Sequence, residues 1–264
     1  MFLRKDEIYR GPVKQDTCLE DDTLIIWNVY PEELIIYAQT NIKNNGAMTF
    51  HILPSILSAD MTCLGDEVAS VMSAGADFIH FDVMDNHYVP NLTFGPAFCD
   101  ALIKRFPQLP IDVHLMVSPV DALIESFAKA GAKRISIHPD ATIHLDRSLQ
   151  LIKSLGCEAG LALNPSTPID SLTWCAQHLG FVLVMTVNPG FGGQKLIPEM
   201  MNKITQIRKL YPHLDICVDG GVTTENIASI ARAGANQFVA GSAVFNSADY
   251  KQTINTMRNQ LASI

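Results

Sequence analysis

Two residues able to act as acids, bases or metal ligands lie two positions apart in an apolar run. The run is Phe78-Ile79-His80-Phe81-Asp82-Val83-Met84-Asp85. Because alternate residues of a strand point to the same face, His80 and Asp82 would project together. An imidazole and a carboxylate on one face make half of a metal site. A buried His–Asp hydrogen bond with no catalytic role would explain the same pair.

The same pattern recurs in two further apolar runs. One of them, Ile111–Val117, carries His114, and the other, Leu214–Gly221, contains Asp219 followed by two glycines. Parallel α/β folds bind ligands at the carboxyl ends of their strands. Polar residues at or near the ends of three such strands therefore indicate one shared site.

The elements that must position these residues alternate regularly beyond residue 48. The predicted strands are Phe50–Leu53, Phe78–Val83, Ile111–Val117, Arg134–His138, Glu158–Leu163, Phe181–Thr186, Leu214–Val218 and Gln237–Ala240. The predicted helices are Asp66–Ala74, Val120–Ala130, Leu145–Leu155 and Ile227–Ala233. A glycine follows each helix, as is usual at helix ends. Eight strands alternating with helices over about 215 residues predict an α/β fold, a TIM (β/α)8 barrel.

The competing α/β architecture, a doubly wound sheet, lacks its motif here. That fold would place a GxGxxG sequence after the first strand. The segment found there is Pro54-Ser55-Ile56-Leu57-Ser58-Ala59-Asp60. The barrel is therefore the favoured fold.

Glycines follow the sixth, seventh and eighth predicted strands. They are Gly190, Gly192, Gly193, Gly220, Gly221 and Gly241. Glycine lets backbone N–H groups approach an anion closely, and barrels frequently bind phosphate at the loops after their last strands. One glycine-rich turn alone is weak evidence, but three at consecutive strand ends predict a phosphorylated substrate.

Three methionines also lie near the carboxyl ends of predicted strands. They are Met84, Met116 and Met185. Methionine commonly fills irregular gaps in a core, which is one interpretation. The other is that soft thioethers cover a small sugar-like intermediate without competing for its hydrogen bonds.

Composition limits the classes of protein that fit this chain. It has 264 residues, 48% hydrophobic and 17% charged, with a formal net charge of −8 and no Lys/Arg cluster, so we expect no nucleic-acid partner. No apolar run reaches the roughly 18 residues of a membrane span, and the N-terminus does not resemble a secretory signal. The six cysteines lie far apart and are expected to be buried, reduced thiols. The sequence thus predicts a cytoplasmic protein with no membrane partner.

Residues 1–47 differ from the rest and are expected to form an N-terminal extension to a catalytic barrel of residues 48–264. Two aliphatic runs, Leu24–Tyr30 and Leu34–Tyr37, are separated by Pro31, which disfavours one continuous helix. A polar, linker-like stretch then leads to Met48. Two interpretations remain open: an appendage that packs on the barrel, or a gene-start artefact with translation beginning at Met48.

Seven segments of the chain together resemble the ribulose-phosphate 3-epimerase family. They are Leu53–Asp60, His80–Asp85, Asn86–Pro96, Asp112–Val117, Met185–Gln194, Val218–Val222 and Ala240–Ala243. The resemblance runs from about residue 50 to about residue 260, and its motifs are specific in order and spacing. Thr186 stands where the family more often has serine, and residues 1–47 have no counterpart.

The resemblance implies a role for each matching residue. One divalent metal ion (Zn, Fe, Mn or Co) would be held by His80, Asp82, His114 and Asp219. Asp82 and Asp219 would be the catalytic acid/base pair. Substrate and its phosphate would contact Ser55, His114, Gly190, Phe191, Gly192, Gly193, Gly220, Gly221, Gly241 and Ser242. A homo-oligomer is also expected.

The chemistry of such a reaction agrees with these residues. Inverting a carbon next to a carbonyl requires one base on each face, which two separated carboxylates provide. The enediolate intermediate carries negative charge that a divalent ion can stabilise. The expected enzyme is an isomerase of carbohydrate metabolism that interconverts D-ribulose 5-phosphate and D-xylulose 5-phosphate.

Three alternative functions remain at this point. An epimerase of a six-carbon ketose phosphate, such as D-allulose 6-phosphate, could use the same residues. A decarboxylase of the related phosphate-binding barrels would carry Asp-x-Lys-x-x-Asp, which the Asp82 strand lacks. The third is a catalytically silent barrel that acts as a binding module, against which all four candidate ligands argue.

Overall fold

The computed structural model describes residues 48–264. The predictions made for residues 1–47, including the extension and its boundary, lie outside the described residues. Within residues 48–264, no helix is both long and apolar enough to cross a membrane.

Eight parallel strands form one sheet that surrounds the molecule's interior. They are β1 His51–Leu53, β2 Ile79–Met84, β3 Ile111–Met116, β4 Arg134–Ile137, β5 Glu158–Leu163, β6 Phe181–Met185, β7 Asp215–Asp219 and β8 Gln237–Val239. Their order is β1-β8-β7-β6-β5-β4-β3-β2. Just beyond β1, a bridge between Ser55 and His80 joins the two edges. The predicted TIM barrel is confirmed, and each predicted strand agrees with the observed one to within one residue at either end.

Within residues 48–264, eight α-helices lie between and after the strands. They are α1 Leu64–Ser73, α2 Pro96–Arg105, α3 Asp121–Lys129, α4 Leu145–Ser154, α5 Met200–Leu210, α6 Ile227–Ala233, α7 Ser242–Phe245 and α8 Tyr250–Ala262. The four predicted helices correspond to α1, α3, α4 and α6 and agree to within two residues. Between β5 and β6, two short 3-10 helices take the place of an α-helix.

Alternation along each strand separates two buried environments. In β3, Ile111, Val113 and Leu115 belong to the large apolar core that includes buried side chains of the helices. The intervening residues Asp112 and His114 carry polar groups, yet both are fully buried. Since successive side chains of a strand point to opposite faces, these polar residues lie inside the barrel.

The cysteine prediction needs one correction. Among the residues that the structure describes, Cys99, Cys157, Cys175 and Cys217 are buried free thiols, whereas Cys63 is exposed. Cys63 precedes α1 at the protein surface, where the start of a helix meets solvent. The apolar residues next to Cys63 in the sequence gave no indication that its side chain is exposed.

Candidate active site

Four side chains from three strands converge at the carboxyl end of the barrel. His80 and Asp82 come from β2, His114 from β3 and Asp219 from the end of β7. One ligand atom from each lies within 4.8 Å of the others. His80 and Asp82 project together, as their two-residue spacing predicts, with Nε2 of His80 3.4 Å from Oδ1 of Asp82.

Ser55 orients the carboxylate of Asp82. Its hydroxyl donates a 2.5 Å hydrogen bond to Oδ2 of Asp82. The other oxygen, Oδ1, faces both imidazoles and lies 3.3 Å from Nδ1 of His114. Ser55 follows β1 and forms the bridge to His80, so the closure of the barrel also positions this hydroxyl.

His80 is held from below by a buried ion pair. Its Nδ1 lies 2.6 Å from Oδ2 of Asp112, whose Oδ1 lies 2.8 Å from Nε of Arg134. The guanidinium packs between the rings of Phe78 and Phe181, at 4.4 and 4.2 Å from their centroids. With Nδ1 donating to a carboxylate, Nε2 of His80 is left to face the cluster.

His114 faces the cluster through Nδ1, whereas His80 faces it through Nε2. Its Nδ1 lies 3.8 Å from Oδ2 of Asp219, and its Nε2 lies 2.8 Å from Nε2 of His138. His138 follows β4 and is fully buried. Burial, reinforced by the neighbouring His114, holds the pKa of His138 well below its ordinary value.

The two carboxyl groups of the cluster occupy opposite electrostatic environments. Burial alone would raise the pKa of Asp82, but the charge of the neighbouring His80 lowers it below its ordinary value. Burial, together with the negative charge of Asp82, raises the pKa of Asp219 to about 8. Without a bound metal ion, the pair therefore holds an ionised Asp82 and a protonated Asp219 near neutral pH.

The chemistry of the cluster fits a divalent ion. Two imidazoles and two carboxylates are ligands that Zn²⁺ accepts, and Fe²⁺, Mn²⁺ or Co²⁺ accept the same set. Nε2 of His80 is buried and has no hydrogen-bond partner among the described residues, which a metal ion would satisfy. Nδ1 of His80 is bonded to a carboxylate, the arrangement common for metal-ligating histidines.

A cavity of about 500 Å³ lies above the cluster. Asp82 and Asp219 line it, whereas His80 and His114 are buried beneath. The other predicted site residues on its wall are Ser55, Met84, Met116, Met185, Gly190, Phe191, Gly192, Gly193, Gly220, Gly221, Gly241 and Ser242. All the predicted substrate-contacting and covering residues except His114 thus surround one cavity.

The glycines expose backbone donors to this cavity. Among the described residues, the N–H groups of Gly192, Gly193, Gly220, Gly221 and Ser242 donate to no protein acceptor. Gly221 has φ +68°, and a Cβ there would overlap the backbone nitrogen of Leu196. A larger residue would not fit at this position without moving the neighbouring backbone.

Sequence reasoning missed several residues of the site. Asp112 and His138 stand inside predicted strands, but neither was assigned a contact with the cluster. Ser58 and Lys195 line the cavity beside the glycine loops. The two-residue spacing of Asp112 and His114 could have indicated that Asp112 lies on the same face of β3 as His114. The contact between His138 and His114, by contrast, depends on the register of β3 and β4.

The fold and the site together are those of an α/β barrel with two histidines and two aspartates clustered under a glycine-lined cavity. Solved structures share this fold at low identity. They include KGPDC from Streptococcus mutans (TM-score 0.64, 13% identity, 83% of this chain and 99% of that one). A mutant tryptophan synthase alpha-subunit from Pyrococcus furiosus gives TM-score 0.62 at 15% identity, over 83% of this chain and 100% of that one.

Sequence comparison identifies the family. The model of the ribulose-phosphate 3 epimerase family matches residues 51–245. Ribulose-phosphate 3-epimerase of Escherichia coli (strain K12) is 52% identical over 81% of this chain and 96% of its own. The enzyme of that name from Serratia marcescens is 54% identical over 77% of this chain and 99% of its own. The chain belongs to the ribulose-phosphate 3-epimerase family and is an isomerase.

Proposed function

We propose that this enzyme interconverts D-ribulose 5-phosphate and D-xylulose 5-phosphate by moving a proton at C3, with one divalent metal ion bound. The observation that carries the proposal is the convergence of His80, Asp82, His114 and Asp219 to within 4.8 Å at the floor of the cavity. The names of its relatives indicate the substrate class, a ribulose phosphate. That name also implies a role in the pentose phosphate pathway.

Asp82 and Asp219 are suited to opposite proton-transfer roles. Around the barrel, β2 and β7 are separated by β1 and β8, so the two carboxyls approach a substrate from different walls. Asp82 is ionised and can accept the C3 proton of ribulose 5-phosphate. Asp219, on the opposite wall, can exchange a proton with the other face.

His80 and His114 complete the proposed metal site from below. Each presents one ring nitrogen upward and has the other engaged by a buried partner, so neither ring is free to turn away. When bound, a divalent ion supplies Lewis-acid stabilisation of the negative charge on an enediolate. The hydrogen bond from Ser55 to Oδ2 fixes the orientation of the Asp82 carboxylate.

The rest of the cavity suits the phosphate and the carbon chain. The unpaired N–H groups after β6, β7 and β8 are donors for phosphate oxygens. Met84, Met116 and Met185 also line the wall of the cavity. Their thioethers cover the reacting carbons without offering a competing strong hydrogen bond.

Incubation with ribulose 5-phosphate in D₂O tests the proposal directly. We expect deuterium at C3 of both sugars, formation of xylulose 5-phosphate, and loss of both after metal is removed by a chelator. Allulose 6-phosphate serves as the matched substrate with one more carbon. Faster turnover of allulose 6-phosphate, or full activity without metal, would contradict the proposal.

A further inference from the structure

His138 is a buried histidine that takes no part in the chemistry proposed above. It follows β4, is fully buried, and is not among the residues that line the cavity. Its Nε2 lies 2.8 Å from Nε2 of His114, and the two rings are tilted by 36° with centroids 5.0 Å apart. The contact is a hydrogen bond between two imidazoles.

Such a bond holds one proton, and its location decides what His114 offers the site. If the proton belongs to His114, Nδ1 of that ring carries a lone pair toward Asp82 and Asp219. If the proton belongs to His138, neutral His114 must carry its own proton on Nδ1, 3.3 Å from Oδ1 of Asp82. A protonated Nδ1 donates to the carboxylate and cannot bind a cation.

The ring of His138 is fixed for this contact. The Tyr88 ring packs against it, with centroids 4.9 Å apart. The Tyr88 hydroxyl donates to Asp140 at 2.8 Å and accepts from Asn164 at 2.9 Å, so the packing ring is held at its far end. Among the described residues, His114 is the one polar side-chain contact of His138. Nδ1 of His138, which carries that ring's own proton when Nε2 accepts, is buried without a hydrogen-bond partner there.

We infer that His138 is a positioning residue that accepts the Nε2 proton of His114 and thereby turns the Nδ1 lone pair of His114 into the site. The inference rests on the proposed metal site. It gives the two imidazoles matching supports: Asp112 fixes His80 with Nε2 facing the cluster, and His138 fixes His114 with Nδ1 facing the cluster. Partners of this kind orient metal-binding histidines and select their tautomers.

Two substitutions separate the acceptor from the packing. His138→Leu removes the acceptor, while in His138→Gln the side-chain oxygen can reach the former position of Nε2. His87→Leu, at an exposed histidine outside the cavity wall, is the matched control. The first readout is Zn²⁺ affinity by chelator competition, and the second is the ¹⁵N NMR signature of the His114 ring without and with Zn²⁺.

The parent should show a proton on Nε2 of His114 and an unprotonated Nδ1 in the metal-free protein. His138→Leu should move that proton to Nδ1 and weaken Zn²⁺ binding by about 10- to 100-fold, the usual effect of removing such a partner. His138→Gln should restore both properties, and His87→Leu should change neither.

Three results would overturn the inference. A folded His138→Leu variant that binds Zn²⁺ like the parent shows that His138 is not needed. Equal weakening in the Leu and Gln variants assigns the effect to packing. If His138→Leu fails to fold, a parent whose His114 is protonated on Nδ1 still overturns it. A parent that binds no divalent ion contradicts the proposed function instead. In that case the position of the His114 ring proton in the metal-free protein is the test of His138.

Discussion

Nδ1 of His80 lies 2.6 Å from Oδ2 of Asp112, and both side chains are fully buried beneath the cavity. Arg134 completes the arrangement, with Nε 2.8 Å from Oδ1 of Asp112. A carboxylate in this position does two things: it selects the tautomer of His80 and neutralises a buried guanidinium. The site and the barrel interior therefore depend on one side chain.

Replacing that carboxylate should weaken metal binding and the fold together. We predict that Asp112→Asn lowers divalent-metal affinity about 10- to 100-fold because His80 loses its charged partner. It should also lower the free energy of unfolding by roughly 3–5 kcal/mol, since Arg134 stays buried without a counter-charge. Chelator competition and urea unfolding measure the two effects.

Two further variants help to interpret the effects of Asp112→Asn on metal affinity and stability. Asp100→Asn alters an exposed pair with Lys104 and should change neither quantity measurably. Adding Arg134→Met to Asp112→Asn removes the unpaired charge and should recover stability but not metal affinity. Parent-like metal affinity in a folded Asp112→Asn variant would contradict the role assigned to Asp112.

The glycine loop after β7 allows a test of the proposed phosphate site. We predict that Gly221→Ala destabilises the protein by roughly 1–3 kcal/mol, because alanine must adopt a left-handed conformation against the backbone of Leu196. Moving this backbone away should also raise the KM for ribulose 5-phosphate. Gly95→Ala is the control, since a Cβ there meets nothing within 4 Å. Equal effects of the two substitutions on KM would count against the site.

Patterns local to one strand predicted much of this molecule. Runs of apolar residues that alternate with glycine-terminated helices located eight strands to within one residue, because a barrel repeats one strand–helix unit. The two-residue spacing of His80 and Asp82 predicted their common face for the same reason. These features need no knowledge of which strands are neighbours.

Side-chain contacts between neighbouring strands were not predicted from the sequence. The contacts of Asp112 with Arg134 and of His114 with His138 arise because β3 pairs with β4 in a particular register, His114 opposite Ser136. A shift of the register would change every one of these pairs. The opposite pKa directions of Asp82 and Asp219 likewise depend on burial and on His80, which the sequence alone does not locate in space.

The N-terminal extension, proposed as residues 1–47, should be dispensable for the chemistry. We predict that a protein starting at Met48 folds and keeps nearly the parent kcat and KM, because the family match spans residues 51–245 and every proposed site residue lies within it. Kinetics and thermal unfolding of the two proteins provide the measurement. Aggregation or loss of folding in the shorter protein would assign residues 1–47 a structural role.

Stability of the metal-free protein should depend on pH through Asp219. Its folded pKa is about 8, above the roughly 4 of an unfolded aspartate. Between these values the folded state holds a proton that the unfolded state has lost, so this group makes stability fall as pH rises. Asp219→Asn removes the effect and should raise Tm relative to the parent at pH 9 but hardly at pH 4.

The measurement is Tm in the presence of a chelator at several pH values. For a domain of this size each kcal/mol corresponds to about 2–4 °C. Asp170→Asn, at an exposed position, is the control and should show no such trend. A constant difference between Asp219→Asn and the parent across this range would show that Asp219 is not protonated in the folded, metal-free protein.

The last prediction separates the two acid/base groups. If Asp82 serves one face of C3 and Asp219 the other, Asp→Asn at either position should reduce net epimerisation by at least about 10²- to 10⁴-fold. In Asp219→Asn, Asp82 still removes the C3 proton of ribulose 5-phosphate and returns one to the same face. That variant should exchange C3 with D₂O while forming almost no xylulose 5-phosphate. Asp82→Asn should lose exchange from ribulose 5-phosphate but retain it from xylulose 5-phosphate, where Asp219 acts first.

Because both aspartates also face the proposed metal, its content must be measured in each variant before the kinetics are compared. Asparagine keeps the side-chain shape and one ligand oxygen, so a metal-loaded variant isolates the loss of basicity. Ser55, which donates to Asp82 but not to Asp219, gives an independent check. Ser55→Ala should slow exchange from ribulose 5-phosphate more than exchange from xylulose 5-phosphate. Near-parent epimerisation by either metal-loaded aspartate variant would exclude a two-base mechanism for this enzyme.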